Sequence, residues 1–246
     1  VKSLESQGVQ VTSAPYLPYA YSISDFNHIL ALDAFIKGKI VVQDVSSMLV
    51  AEIANPKKGD YVIDVCAAPG GKSLHMGDKM EGYGTVDARD VSQYKVNLIE
   101  ENIQRLNSIN VQAKVQDATI FDVESECKAD IVLADVPCSG LGTIRKKPDV
   151  RFKEQEDIKS LPDIQLKILN SLSKYVKNGG RILYSTCTLL PRENQEVVEA
   201  FLKENSNFEL EKFDTPFGGA ENGMLTLWPH IHNTDGFFIA LIYKRG

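Results

Sequence analysis

Cysteine is scarce in this 246-residue chain, and Cys66, Cys127, Cys138 and Cys187 stand far apart. No CxxC pair is present, so the spacing offers neither a zinc knuckle nor a disulfide scaffold, and free thiols in a reducing cytoplasm are expected. Long apolar runs are missing too. No stretch approaches the roughly 20 residues of a membrane-spanning helix, which predicts a protein with no membrane association. The opening VKSLESQGVQVTS has neither the cationic start nor the apolar centre of a signal peptide. A soluble cytoplasmic protein is expected, and Val1 in place of Met points to an excised fragment. Positive charge is short: 27 Lys and Arg against 33 Asp and Glu give a net charge of −6, which argues against a surface coated in nucleic acid. Internal repeats and low-complexity tracts are absent as well.

What is present is an ordinary globular balance, 43% hydrophobic and 24% charged, long enough for one sizeable core. One main domain over 41–246 is expected. Residues 1–40, with Pro15, Pro18 and several tyrosines before a predicted helix from Asp25 to Ile36, read as an extension, a linker or the edge of a further domain. A monomer without metal is expected.

Apolar β-rich runs alternate with helical periodicity, the pattern of βαβ units and a parallel sheet. The reading places strands at Tyr61 to Val65, Gly84 to Asp87, Val111 to Val115, Ile131 to Ala134 and Arg181 to Ser185. Helices start near Gly71, Val91 and Ile164, and another runs from Glu193 to Lys203 behind Pro191. Phe208 to Phe213 and Phe237 to Tyr243 read as two closing strands, joined by a short link containing Gly218 and Gly219. The expected fold is α/β and doubly wound, a mostly parallel seven-stranded sheet with a final antiparallel pair, the layout of the methyltransferase variant.

The run YVIDVCAAPGGKS puts small residues at the turn from the first strand into the first helix, where doubly wound sheets receive nucleotides. Gly71-Lys72-Ser73 completes the end of a P-loop, but its first glycine is replaced by Cys66, and G-x-G-x-x-G is missing. The NTPase and nicotinamide readings both lose their defining glycines. Asp87, read as the end of the second strand, suits ribose hydroxyls, with Asp90 its competitor. Asp117, just past the third strand, suits an adenine amino group.

The fourth strand runs into Asp135-Val136-Pro137-Cys138 and the fifth into Ser185-Thr186-Cys187, so both thiols are expected to face one cleft. Two thiols fit methylation of cytosine at C5, a carbon too weakly nucleophilic to attack a sulfonium unaided. A thiolate adding to C6 activates C5, and a second thiol assists release. Asp135 suits hydrogen bonding or protonation at N3 if burial raises its pKa. The chemistry leaves open which cysteine attacks, and a redox pair or two structural thiols is the plainer alternative. In IRKKPDVRFK, residues 144–153, Arg145, Lys146, Lys147 and Arg151 form the candidate phosphate-binding patch, with a solvated loop as its plain alternative.

DVCAAPGGKS, ADVPCSGLGTIRKKPDV, YSTCTLLPRENQEVV and LWPHIHNTDGFF occur in that order. Together they resemble the Sun, or Fmu, family of RNA 5-methylcytosine methyltransferases over most of the chain from about residue 40. Through IRKKPD the resemblance is to the branch of bacterial 16S ribosomal RNA methyltransferase B. It implies that Cys66, Ala67, Ala68, Pro69, Gly70, Gly71, Lys72, Asp87, Asp117 and Asp135 bind or surround S-adenosylmethionine. It implies further that Cys187 is the nucleophile and Cys138 the thiol that promotes release, with RNA, ribosomal RNA in particular, as partner. The helical N-terminal RNA-binding domain of full-length members has no counterpart here. Methylation of tRNA and a non-catalytic RNA-binding module are the alternatives.

Overall fold

The computed structural model describes the backbone of residues 1–246 and all side chains except those of Gln155 and Asp157. A one-turn helix α1 (Lys2–Glu5) precedes a hairpin of β1 (Gln10–Ser13) and β2 (Tyr21–Ser24). The helix expected from Asp25 to Ile36 is not formed as such. Asp25 takes a left-handed φ of 61°, and an extended Leu32 separates a 3-10 turn (Ile29–Ala31) from the single turn α2 (Asp33–Ile36). Leu4, Val9, Leu32 and Ala34 form a small core of their own. Arg105 ties this region to the body by donating to the carbonyls of Phe35 and Ile40, at 3.1 Å each.

The body begins with α3 (Val45–Ala54), capped by Asp44, whose carboxylate accepts from the Ser46 N–H. Then follow β3 (Tyr61–Asp64), α4 (Gly71–Lys79), β4 (Thr85–Asp90), α5 (Gln93–Leu106), β5 (Val111–Val115) and β6 (Ala129–Asp135). Next come α6 (Gln155–Lys159), α7 (Leu161–Leu172), β7 (Val176–Thr186), α8 (Gln195–Glu204) and β8 (Phe208–Leu210). The chain ends with β9 (Phe213–Thr215), β10 (Gly218–Ala220), β11 (Met224–Leu227), α9 (Pro229–His232) and β12 (Phe237–Lys244).

The sheet order is β11-β12-β7-β6-β3-β4-β5, with β8 also paired to β12. Strands β3 to β7 pair in parallel, whereas β12 runs antiparallel to β7, β8 and β11. The expected doubly wound fold is therefore present, with eight strands in place of seven. The closing strand read as Phe208 to Phe213 is divided into β8 and β9. The Gly218-Gly219 link is itself the strand β10, paired with β9.

Period-two alternation divides the core. Val62, Leu133 and Leu183 pack with Leu49, Leu74 and Ile99 under α3, α4 and α5. Ile63, Val132 and Ile182 face Ile168, Leu172 and Phe201 of α7 and α8. Burial on both faces is why these strands read as nearly continuous apolar runs. It also makes their carboxyl ends the open positions, and the chemically capable residues gather there.

Candidate active site

The turn between β3 and α4 is built by small residues held at both ends. Ala67 donates its N–H to the Arg89 carbonyl at 2.8 Å, and Ala68 donates to Asp90 Oδ2 at 3.0 Å. Pro69 offers its carbonyl to Asn102 Nδ2 at 3.0 Å. Gly70 caps α4 with a φ of +102°, a conformation disfavoured for any residue with a Cβ, and an added Cβ would meet Ile99 Cγ2 at 3.2 Å. Beside Gly71 an added Cβ would touch only Gln43, at 4.0 Å, so this side of the turn is open. Cys66 instead points inward, and burial followed by repulsion from Asp64 and Asp90 pushes its thiol well above the ordinary value. Asp64 at the end of β3 accepts from Ser73 Oγ at 2.6 Å, yet full burial raises its carboxyl to about 7.

The second strand runs further than the sequence suggested, and this changes which acid stands at its end. Asp87 lies inside β4, 3% exposed, paired with Arg89 Nη2 at 2.6 Å and accepting from the Tyr61 hydroxyl at 3.1 Å. Its expected position at a strand end is therefore corrected. Asp90 closes β4, accepting from Ala68 N–H through Oδ2 and from Val91 N–H through Oδ1 at 2.8 Å, with Lys95 Nζ at 2.9 Å. Residues three apart on a strand face opposite sides. Asp90 is thus on the side of the glycine turn and Asp87 is not. Asp117, two residues past β5, accepts from the Thr119 N–H and hydroxyl, and these bonds hold its carboxyl below the usual carboxylate value.

At the next two strand ends the site becomes denser. Asp135, the last residue of β6, accepts from Lys72 Nζ at 2.6 Å through Oδ2 and from Ser185 Oγ at 2.7 Å through Oδ1. Both oxygens are engaged as acceptors, so the proton available near Asp135 is on Lys72. Burial works against the Lys72 ammonium, but Asp135 prevails and holds it above the ordinary lysine value. Lys72 also lies 5.6 Å from the Phe237 ring centre.

Cys138 Sγ and Cys187 Sγ stand 3.3 Å apart, so the expected shared cleft is a direct contact. The two thiols are not equivalent. The hydrogen bond between them, followed by burial, pushes Cys138 well above the ordinary thiol value. The same bond draws Cys187 below it, with burial and the Asp135 carboxylate opposing and Lys72 assisting. Either sulfur can donate in this contact, and the opposite directions mark Cys187 as the thiol that gives up its proton more readily. Gly142 stitches the loops together, donating to the Cys187 carbonyl and accepting from the Gly236 N–H, both at 2.9 Å. A Cβ there would meet Gly236 O at 1.9 Å.

The basic patch is divided by the fold. Arg145 donates to the Thr234 carbonyl at 2.8 Å, and Lys146 pairs with Asp44 and with Asp235 at 3.0 Å. Lys147 and Arg151 are exposed, and among the described residues neither has an ion-pair partner. Nothing in the linear pattern points to the Asp44 and Asp235 carboxylates, which lie 191 residues apart and meet only in three dimensions. Among the described residues, no group of three or more His, Cys, Asp or Glu side chains is placed to hold a metal ion.

A family model described as 16S rRNA methyltransferase RsmB/F matches residues 51–243. The chain is 41% identical over 222 residues to a probable ribosomal RNA small subunit methyltransferase B of Bacillus subtilis, covering 86% of this chain and 49% of that protein. It thus spans about half the length of the curated relatives it matches. The crystal structure of PH0851 is similar over 99% of this chain and 56% of that one, with a TM-score of 0.94 and 34% identity. The structure of NSun6 from Pyrococcus horikoshii with SFG covers 90% of this chain and 57% of its own, with a TM-score of 0.77 and 32% identity.

Proposed function

The chain belongs to the RsmB/F family of 16S rRNA methyltransferases, and from that premise we propose that it methylates C5 of a cytosine in RNA, 16S ribosomal RNA in particular, through a covalent cysteine–cytosine intermediate. The observation that carries this reading is the 3.3 Å contact between two thiols of opposite tendency, beside the Lys72–Asp135 pair. A redox pair would not need that ammonium and carboxylate at the same strand ends.

S-adenosylmethionine, when bound, supplies the methyl group. The residues present fit it: a sulfonium cation that also carries an amine and a ribose diol calls for carboxylates, and Asp90 and Asp135 end β4 and β6, on either side of β3, while Asp117 lies two residues past β5. The open side of the turn at Gly71 leaves backbone accessible. We assign the ribose hydroxyls to Asp90 in place of Asp87, the adenine edge to Asp117, and the methionine end to the turn 66–72.

The cytosine must leave its stack for C6 to be reached. Cys187 then adds through its thiolate to C6, and the displaced π electrons enrich C5. Lys72 donates a hydrogen bond toward the pyrimidine as that charge develops, while Asp135 orients the ammonium and accepts from the exocyclic amine. After C5 has gained its methyl group, Cys138 passes its own proton to solvent and, as a thiolate, takes the C5 proton. The C5–H electrons restore the ring double bond, and Cys187 departs as thiolate. Residues 41–246 are the catalytic unit in this reading, with 1–40 its extension.

The test uses a 16S ribosomal RNA transcript and a denaturing gel. Cys187→Ala is expected to form no covalent adduct and to lose methylation by at least about 10³-fold, the loss of a nucleophile. Cys138→Ala is expected to attack and accept the methyl group, then accumulate protein linked to RNA. The reverse pattern exchanges the two roles. Full methylation by both variants without any adduct defeats the two-thiol mechanism.

A further inference from the structure

In the sequence, Glu193 reads as the beginning of a helix behind Pro191, and its structure is different. Pro191–Glu193 form a 3-10 turn, and α8 starts only at Gln195. Glu193 and Asn194 are 0% and 1% exposed, and they point to different loops. Glu193 Oε2 accepts the Ser139 N–H at 2.8 Å and Gln165 Nε2 at 3.2 Å. Gln165 Nε2 also donates to the Pro137 carbonyl at 2.9 Å. The residues on both sides of Cys138 are thereby held. Asn194 Oδ1 accepts from Thr186 Oγ1 at 2.5 Å, and its Nδ2 donates to the Thr188 carbonyl at 3.0 Å. These flank Cys187. Ser139 Oγ and Thr188 Oγ1, 2.7 Å apart, join the two loops directly.

We propose that Glu193 and Asn194 are positioning residues: one dipeptide clamps both thiol loops and sets the separation and mutual orientation of Cys138 and Cys187. The turn that carries them is itself fixed, because the Tyr184 hydroxyl of β7 donates to the Glu193 carbonyl at 2.6 Å. A helix start does not require a buried carboxylate, and Glu193 keeps a second oxygen, Oε1, buried without a partner. Burying such an oxygen without a partner is costly, a cost that is retained where the position of the carboxylate serves something else. The contact it serves is sensitive to distance, since a thiol is a weak donor and a small relaxation of either loop breaks the bond. Without that bond Cys187 loses the principal influence that lowers it. The role in catalysis rests on the cytosine reading above, whereas the geometric role does not.

The test reads Cys187 without RNA. Iodoacetamide alkylation is followed by mass spectrometry as a function of pH, with the exposed Cys127 as internal reference and thermal melting to establish folding. Glu193→Ala and Asn194→Ala are expected to raise the half-alkylation pH of Cys187 by about one unit, about tenfold less thiolate at a given pH. Glu193→Gln retains an acceptor for Ser139 and is expected to restore most of the wild-type value. Where an alanine variant does not fold, Gln165→Met removes the tie to Pro137 at similar volume and is expected to raise the midpoint in the same direction. With RNA, kcat is expected to fall about tenfold with KM unchanged. Folded variants with the wild-type midpoint overturn the clamp, as does Glu193→Gln behaving like Glu193→Ala. If Cys138→Ala forms no adduct with RNA, the cytosine reading fails while the alkylation series on the wild-type background still judges the clamp.

Discussion

Two buried ion pairs in this sheet share the same chemistry and differ in what surrounds them. Arg89 on β4 is 1% exposed and donates to Asp87, to Asp122 at 3.3 Å and to Ser125 at 2.6 Å, with the Tyr175 ring 5.3 Å away. Lys72 and Asp135, at the ends of α4's first turn and β6, leave 15% and 26% of their side chains exposed. The Arg89 guanidinium is enclosed by its own strand and the 122–125 turn, and the shallow cleft lined by Tyr61, Asp87, Lys114 and Ser125 reaches its partners but not the guanidinium itself. The Lys72 pair is finished on the protein side only and faces the cysteine loops. Enclosure, more than residue type, separates charge that holds the fold from charge that is placed for chemistry.

The comparison is broken most directly by removing each cation. Arg89→Met is expected to cost about 3–5 kcal/mol in urea unfolding, since it leaves Asp87 buried with its pair removed. Lys114, 3.7 Å from Asp87 but 41% exposed, is a weak substitute. Methylation per folded molecule should be unchanged. Lys72→Met is expected to lower kcat by about 100-fold, roughly 2.7 kcal/mol, while costing about 1 kcal/mol or less in stability because Asp135 retains Ser185 and solvent. An inactive but fully stable Arg89→Met, or an unfolded Lys72→Met, removes the distinction.

A smaller effect sharpens it at Asp64, which belongs to the enclosed class although it adjoins the site. Its carboxyl is raised from 3.8 to about 7 in the folded chain. Below pH 3.8 both states hold the proton and the group contributes nothing. Between there and pH 7 the unfolded chain releases its proton first, so stability falls as pH rises, and above 7 the penalty is constant. From pH 5 to pH 7 this amounts to about 2 kcal/mol. Asp64→Asn keeps an acceptor for Ser73 and is expected to flatten that slope and to be more stable than wild type at pH 8. Parallel stability curves for the two proteins over this range would show that Asp64 ionises normally.

How much of this was legible in the sequence depended on whether a residue's role was local. The β3 turn, the two thiol loops and the strand alternation are written in contiguous runs, and chain order brings Cys138 and Cys187 to adjacent strand ends. The strand end was misplaced at Asp87 because TVDARD carries no boundary signal: the strand runs on to Asp90, with Arg89 neutralised by Asp87 and by Asp122 from a neighbouring turn. The clamp at Glu193 was hidden for a related reason, since a Pro followed by acids is also an ordinary helix start. Lys146 resembled its neighbours in charge alone, and its partners Asp44 and Asp235 come from opposite ends of the chain.

That last residue carries the smallest expected effect and places the same distinction within a single loop. Arg145 and Lys146 are exposed but tied to the Thr234–Asp235 segment, whereas Lys147 and Arg151 are exposed with no ion-pair partner among the described residues. Lys147 and Arg151, which have no carboxylate to give up, are the pair best able to replace counterions on a phosphate backbone, and each contact with single-stranded RNA contributes about 0.7 to the slope of log K against log salt. Lys147→Ala/Arg151→Ala is therefore expected to reduce that slope by about 1.4, with the melting temperature unchanged. Lys146→Ala should behave in the opposite way: it leaves Asp44 and Asp235 facing each other without their shared cation, so it lowers stability and changes the salt slope little. Titration of each variant with a fluorescent RNA oligonucleotide at several salt concentrations measures both slopes. If the double variant retains the wild-type slope, these two cations are a solvated loop, and the RNA backbone is held elsewhere on the protein.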